Sequence, residues 1–210
     1  MCGDHLRRKP IVVTFDDGYR YASPVIEHLG MHATSYLITE RISGDDRSFL
    51  SWRLVRRFEK RGVEIGSHTV SHASLTALSD AGALAELVRS RKKLERKLDH
   101  RVPWLAYPYG DYDARIERLS KKAGYKLAVT TDWGSLQSAQ RPFALKRLRI
   151  LDSTGVSGLA AMLAQIGRAG KKGRFCDRPF AVIRGPGASG RTRRRCRGNG
   201  LSGNRRTRRR

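Results

Sequence analysis

The feature that most constrains this chain is an alternation of two kinds of segment between residues 11 and 166. Short runs rich in β-branched and small apolar residues lie at Ile11–Phe15, Ala33–Thr39, Val63–Ile65, Trp104–Tyr107, Tyr125–Thr131 and Arg147–Leu151. Between and after them come Ser23–Leu29, Ser51–Lys60, Ser79–Leu98, Ala114–Ala123 and Val156–Ile166, whose apolar residues recur at helical spacing. Strands that alternate with helices predict a parallel sheet with helices as crossovers. The expected fold class is therefore α/β with parallel strands. At 210 residues the chain is short for eight strand–helix units, which take about 250 residues. Ser23 followed by Pro24 predicts a helix cap and first helical residue, and Gly30, Gly62 and Gly124 predict helix stops.

Composition matters here mainly through where the charge sits. The net charge of +24 is extreme, but residues 167–210 hold sixteen Lys and Arg against the lone Asp177. This gives two regions, a folded unit over 10–166 and a basic tail over 167–210. From Arg184 onward the tail has almost nothing apolar and is expected to be disordered. It reads as an extension without function or as a polyanion-binding arm; the lack of base-stacking aromatics argues against nucleic acid. Cys2, Cys176 and Cys196 have no CxxC spacing, and an odd number without a framework argues against a disulfide scaffold or structural zinc knot. No apolar run reaches the roughly 20 residues of a membrane span. Met1–Pro10 does not read as a signal peptide, and the first strand follows so soon that the start reads as truncated or as a misassigned initiation codon.

Three polar clusters fall at the C-terminal ends of predicted strands, the face that carries catalytic groups in strand–helix barrels. They are Asp16-Asp17, His68 with His72, and Tyr107-Pro108-Tyr109-Gly110. Taken singly, each has a plainer reading as a solvated turn, a helix surface or a packed turn. Together they point to a divalent cation held by Asp17, His68 and His72, with an open position for water. Asp16 is then a candidate general base. The Thr69 and Ser71 between the histidines place that pair on a strand-end loop rather than a helix.

Thr14-Phe15-Asp16-Asp17-Gly18-Tyr19, followed by Glu64-Ile65-Gly66-Ser67-His68-Thr69-Val70-Ser71-His72, resembles the polysaccharide deacetylase family, carbohydrate esterases with a NodB-like domain. The resemblance continues through Ala106–Asp113, Ala128–Thr131 and Pro142–Arg147 and covers about residues 10–165. It implies a distorted or incomplete barrel of the (β/α)7 type with parallel strands, zinc or a similar divalent ion, and removal of N-acetyl groups from an N-acetylglucosamine-containing polysaccharide. It also implies catalytic roles for Asp16 as base and for the Tyr109 backbone N–H as oxyanion donor. Asp17, His68 and His72 match the metal ligands, and Thr69 the hydroxyl residue that braces their loop.

The sequence departs from the family pattern in two ways that bear on mechanism. Relatives usually carry a late Leu-x-His histidine that protonates the leaving amine, and here no histidine follows His100. Many also carry an arginine at the position of Ala106 or Tyr107, paired with the catalytic aspartate, and this chain has none there. Asp132-Trp133 is assigned no catalytic role, with Trp133 a candidate sugar-stacking side chain. The alternatives are a catalytically impaired glycan-binding member of the same fold, or polyanion binding through the basic tail. The resemblance suggests the cell envelope or a secreted protein.

Overall fold

The computed structural model describes residues 11–28, 33–42 and 46–169. The basic stretch beyond residue 169 and all three cysteines lie outside them.

Six parallel strands form one sheet in sequence order: β1 (Val13–Phe15), β2 (Ala33–Leu37), β3 (Glu64–Ser67), β4 (Trp104–Ala106), β5 (Leu127–Trp133) and β6 (Leu145–Arg147). The parallel pairing is what the alternation of segments predicted, and the sheet curls into a half-barrel, as the resemblance implied. Five helices accompany it: α1 (Ser23–His28), α2 (Trp52–Lys60), α3 (Asp80–Leu98), α4 (Ala114–Lys122) and α5 (Gly155–Ala169).

The helix ends follow local chemistry. Ser51 and Ser79 accept hydrogen bonds from Leu54 N and Gly82 N, and Asp113 accepts one from Ile116 N at 2.7 Å, so each side chain satisfies an orphan donor of the first turn. α3 stops at Asp99 in the left-handed region. Ser23 departs from expectation. The chain enters a 3-10 turn at Arg20, so Ser23 already has helical angles and is no N-cap.

Side chains alternate across each strand. Leu37, Ile65, Leu105 and Ala128 point to the helix-covered face, where they meet Val55 and Phe58 of α2, Leu87 and Leu94 of α3, and Ile116 of α4. Tyr36, Ala106 and Val129 form a small separate cluster on the opposite face, with Trp104 and Leu145 against it. Tyr36 lies beside Gly66 in the register, and any Cβ at Gly66 would overlap the Tyr36 ring.

Two strand boundaries move from their expected places. β5 continues to Trp133, while Tyr125 is drawn out of the strand to donate its hydroxyl to Leu87 O. The last strand is Leu145–Arg147, not Arg147–Leu151. It pairs only with β5, and that ladder ends at Trp133↔Arg147. The apolar alternation beyond Arg147 therefore has no partner strand, and Ile150 and Leu151 are exposed.

Candidate active site

All three polar clusters lie at the C-terminal ends of strands. β1 ends at Phe15, and Asp16-Asp17-Gly18 turns sharply, with Gly18 N donating to Asp16 O at 2.9 Å. β3 ends at Ser67, and His68 to His72 form a loop rather than a helix. β4 ends at Ala106, ahead of a Pro108–Gly110 turn. Thr131 Oγ1 donates to Tyr109 O, and a Cβ on Gly110 would overlap the Thr131 side chain, so this turn sits tightly on β5.

The backbone here is strained. Among the described residues five non-glycine positions have positive φ, and four are Asp17 (69°), Thr69 (67°), His72 (67°) and Tyr109 (61°). The fifth, Asp99, ends a helix. Left-handed backbone is unfavourable for a β-branched residue such as Thr69, and such conformations gather where surrounding structure over-determines them. Thr69 is fully buried, receives His72 N on its Oγ1 (3.2 Å), and gives its own N–H to Ser67 Oγ (3.2 Å). Its O accepts from Thr39 N. Glu86 of α3 adds a brace that the sequence did not signal: its carboxylate accepts from Val70 N, Ser71 N and Ser71 Oγ at 2.9–3.0 Å.

Asp17, His68 and His72 converge, their candidate ligand atoms all within 4.8 Å of one another. Each histidine Nε2 lies 3.5 Å from Asp17 Oδ1. Tetrahedral ligands about 2.0–2.2 Å from a zinc-sized ion stand about 3.4 Å apart, so these donors fit one cation in number, type and spacing. His68 is buried, with Nδ1 2.8 Å from Ala106 O. That contact fixes the proton on Nδ1 and leaves the Nε2 lone pair facing Asp17. His72 is more open, and its ring meets His68 and Tyr109 edge-on at 4.7 and 4.6 Å. Burial, followed by the neighbouring His68, holds the His72 pKa below the ordinary histidine value, which favours the neutral, ligating form.

Asp16 stands beside this cluster and is gripped by a residue from the far edge of the sheet. Arg147 Nη1 donates to Asp16 Oδ1 at 2.8 Å and Nη2 to Asp16 Oδ2 at 2.7 Å. The same guanidinium donates to Thr130 O and Thr14 Oγ1. Burial works to raise the Asp16 pKa, but the hydrogen bonds and charge of Arg147, with smaller help from His68 and His72, hold it below the usual carboxylate value. Asp16 is therefore an anion at neutral pH with lone pairs to spare, since each carboxylate oxygen can accept twice. No arginine at Ala106 or Tyr107 is needed for this pairing. The signal lay in the Pro142–Arg147 segment, but only the fold shows which carboxylate that arginine meets.

Tyr109 is exposed at the rim, and its amide takes no part in the turn bonds donated by Gly110 and Asp111. Trp133 is exposed at the end of β5, where it lines a concavity of about 510 Å³ with Ala161, Met162, Ala164 and Gln165 of α5. The remaining described histidines are elsewhere engaged, His28 with Pro24 O and His100 with Glu59 at 2.6 Å.

Fold and site together define a curled parallel α/β half-barrel with a two-histidine, one-aspartate cluster and a second, arginine-paired aspartate at the C-terminal rim of its strands. Residues 3–128 match the polysaccharide deacetylase family, and the chain belongs to that family. It is 31% identical over 156 residues to YxkH of Bacillus subtilis, named as a polysaccharide deacetylase, covering 72% of this chain and 54% of that protein. It is 30% identical over 127 residues to a peptidoglycan-N-acetylglucosamine deacetylase of Bacillus cereus, covering 58% and 56%. The solved structure of the Streptococcus pyogenes deacetylase PplD in complex with acetate superposes with a TM-score of 0.68 at 27% identity, covering 74% of this chain and 71% of that one. This chain thus spans about half the length of these two curated relatives.

Proposed function

We propose that this chain hydrolyses the acetamide of an N-acetylglucosamine-containing polysaccharide, using a divalent cation, with zinc the best candidate, at Asp17, His68 and His72. The observation that carries this reading is the convergence of those three side chains beside an ionised Asp16. A cation bound there would polarise the acetamide carbonyl and acidify a water. Asp16 accepts a proton from the attacking water as the new C–O bond forms, and Arg147 holds its carboxylate in place. The Tyr109 N–H donates to the oxygen that gains charge, a preorganised dipole in the sense that lowers acyl-transfer barriers. Asp16 then returns its proton to the nitrogen as the C–N bond breaks, which leaves acetate and a free amine. This two-way role for Asp16 answers the lack of a further imidazole at this face among the described residues. Trp133 is a candidate platform for a neighbouring sugar ring.

The related bacterial enzymes that act on peptidoglycan favour work at the cell envelope. Among the described residues no helix is long and apolar enough to cross a membrane.

The missing third imidazole also favours a second reading, a glycan-binding member without turnover. Acetate release from chitohexaose separates the two. The expected result is release that EDTA abolishes and zinc restores, and that Asp16→Asn eliminates while the metal stays bound. Sugar binding without any acetate release would establish the second reading, and an active Asp16→Asn protein would remove the base.

A further inference from the structure

The charge of the described domain is lopsided. Across residues 11–169 there are twenty-five Lys and Arg against seventeen Asp and Glu. Residues 51–61 and 89–101, which contain α2 and the second half of α3, hold twelve of those cations against only Glu59, Glu95 and Asp99. Everything else is nearly balanced, thirteen against fourteen. The two helices are neighbours, since Trp52 and Phe58 of α2 pack in one cluster with Leu94 and Leu98 of α3 and Lys97 lies over the Trp52 ring. The domain's net positive charge is therefore concentrated on one side.

Within this side, Arg89, Lys92, Lys93 and Arg96 line a cleft of about 280 Å³ together with Val70. None of the four has an ion-pair partner among the described residues, whereas the adjacent Arg91 pairs with Glu95. They stand three, four and seven apart, so they share one helix face and repel one another by a few tenths of a kcal/mol per pair. Attraction to the helix C-terminus offsets that only in the last turn, which leaves Arg89, Lys92 and Lys93 without compensation. The cation row spans about 10 Å at 1.5 Å per residue. Its remaining wall, Val70, belongs to the loop that carries both metal-site histidines. It stands two positions from each, so its Cα lies within about 8 Å of theirs. The cleft lining has no aromatic ring on which bases would stack, nor a large apolar side chain that would enter a bilayer.

We infer that this cleft holds the acidic groups of the polymer being deacetylated, so that the substrate is an anionic N-acetylated glycan rather than a neutral one. This rests on the deacetylase reading and deepens it. One sugar presents its acetamide at Asp17, His68 and His72, while carboxylate or phosphate groups further along the same chain lie against Arg89, Lys92, Lys93 and Arg96.

The test pairs chitohexaose with carboxymethylated chitohexaose, which has the same backbone with added carboxylates. Full-length protein is compared with the quadruple variant R89Q/K92Q/K93Q/R96Q, so that any effect of the basic tail is common to both. At low salt the unaltered protein is expected to show a KM about tenfold lower for the acidic oligomer. That advantage should disappear in the variant and at 0.3 M salt, while kcat and KM for chitohexaose stay unchanged. Equal KM values for the two oligomers, or an advantage that survives the substitutions, would overturn the inference. Binding of both oligomers is measured in parallel by calorimetry. If neither releases acetate, the deacetylase reading fails, and a preference for the acidic oligomer that the variant lacks still supports the cleft. A variant that loses duplex DNA binding as strongly as it loses the acidic oligomer would make this a general polyanion surface and overturn the assignment to a glycan.

Discussion

The Arg147–Asp16 pair can be weighed by a double-mutant cycle. Arg147 and Asp16 keep 16% and 30% of their side-chain surface exposed, so the pair is neither a surface bridge nor a fully buried one. Surface pairs contribute at most about 1 kcal/mol, and removing one partner of a buried pair costs about 3–5 kcal/mol. Partial exposure and two charge-assisted bonds place the coupling near 2 kcal/mol. Arg147→Met, Asp16→Asn and the double variant are compared with the parent by urea unfolding in EDTA at pH 7, which keeps metal out of the balance. The double variant should be more stable than the sum of the single losses predicts, by about 2 kcal/mol, against an additivity error of about 0.3–0.5 kcal/mol. The sign with pH is fixed. The folded Asp16 pKa is lowered, and the unfolded carboxyl titrates near 3.9. The coupling is thus fully present above that value and is lost as pH falls through the folded one. A coupling below about 0.5 kcal/mol at pH 7 would refute the claim that Arg147 holds this carboxylate.

Other perturbations address separate parts of the structure. Glu86→Ala removes the acceptor that ties Val70 and Ser71 to α3, and zinc affinity by competition titration should fall about 10–100-fold; Glu86→Gln, which retains one acceptor oxygen, should recover part of it, and unchanged affinity in the alanine variant would remove the brace. Gly66→Ala forces a methyl group into the Tyr36 ring and should cost about 1–3 kcal/mol by thermal unfolding; a neutral result would show that the ring can step aside. For His100, burial pulls the pKa down, but the Arg101 carbonyl and Glu59 raise it overall. Its stabilising contribution is therefore present below the unfolded value near 6.5 and lost as pH rises through the folded one. His100→Gln should lower stability at pH 5.5 by up to about 1 kcal/mol and much less at pH 9, and the opposite order would remove the pairing.

Much of this architecture was legible because its signals are local. Periodicity located the first five strands and the five α-helices, and Ser51, Ser79 and Asp113 cap the helices that follow them. The convergence of Asp17, His68 and His72 was legible for a topological reason: in a parallel sheet all strands end on one face, so groups that follow β1 and β3 are brought to the same rim. What stayed hidden depends on long-range contact. Arg147 sits in a basic segment beside Lys146 and Arg149, and the Pro142–Arg147 motif that contains it does not say that its partner is a carboxylate 131 residues away. Glu86 looks like any solvated helix glutamate until the loop is folded onto it. Ser23 and the last strand misled because cap and alternation patterns do not reveal an earlier helical turn or a neighbouring ladder that has run out.

The left-handed residues around the cluster carry a consequence for anyone breeding a hardier form of this protein. Asp17, Thr69, His72 and Tyr109 each store about 1–3 kcal/mol of backbone strain, and glycine would relieve most of it. A screen that rewards heat endurance alone is thus drawn to those codons, and at Asp17, Thr69 and His72 relief deletes a carboxylate, a hydroxyl or an imidazole. The toughest survivors of such a screen should be chemically silent.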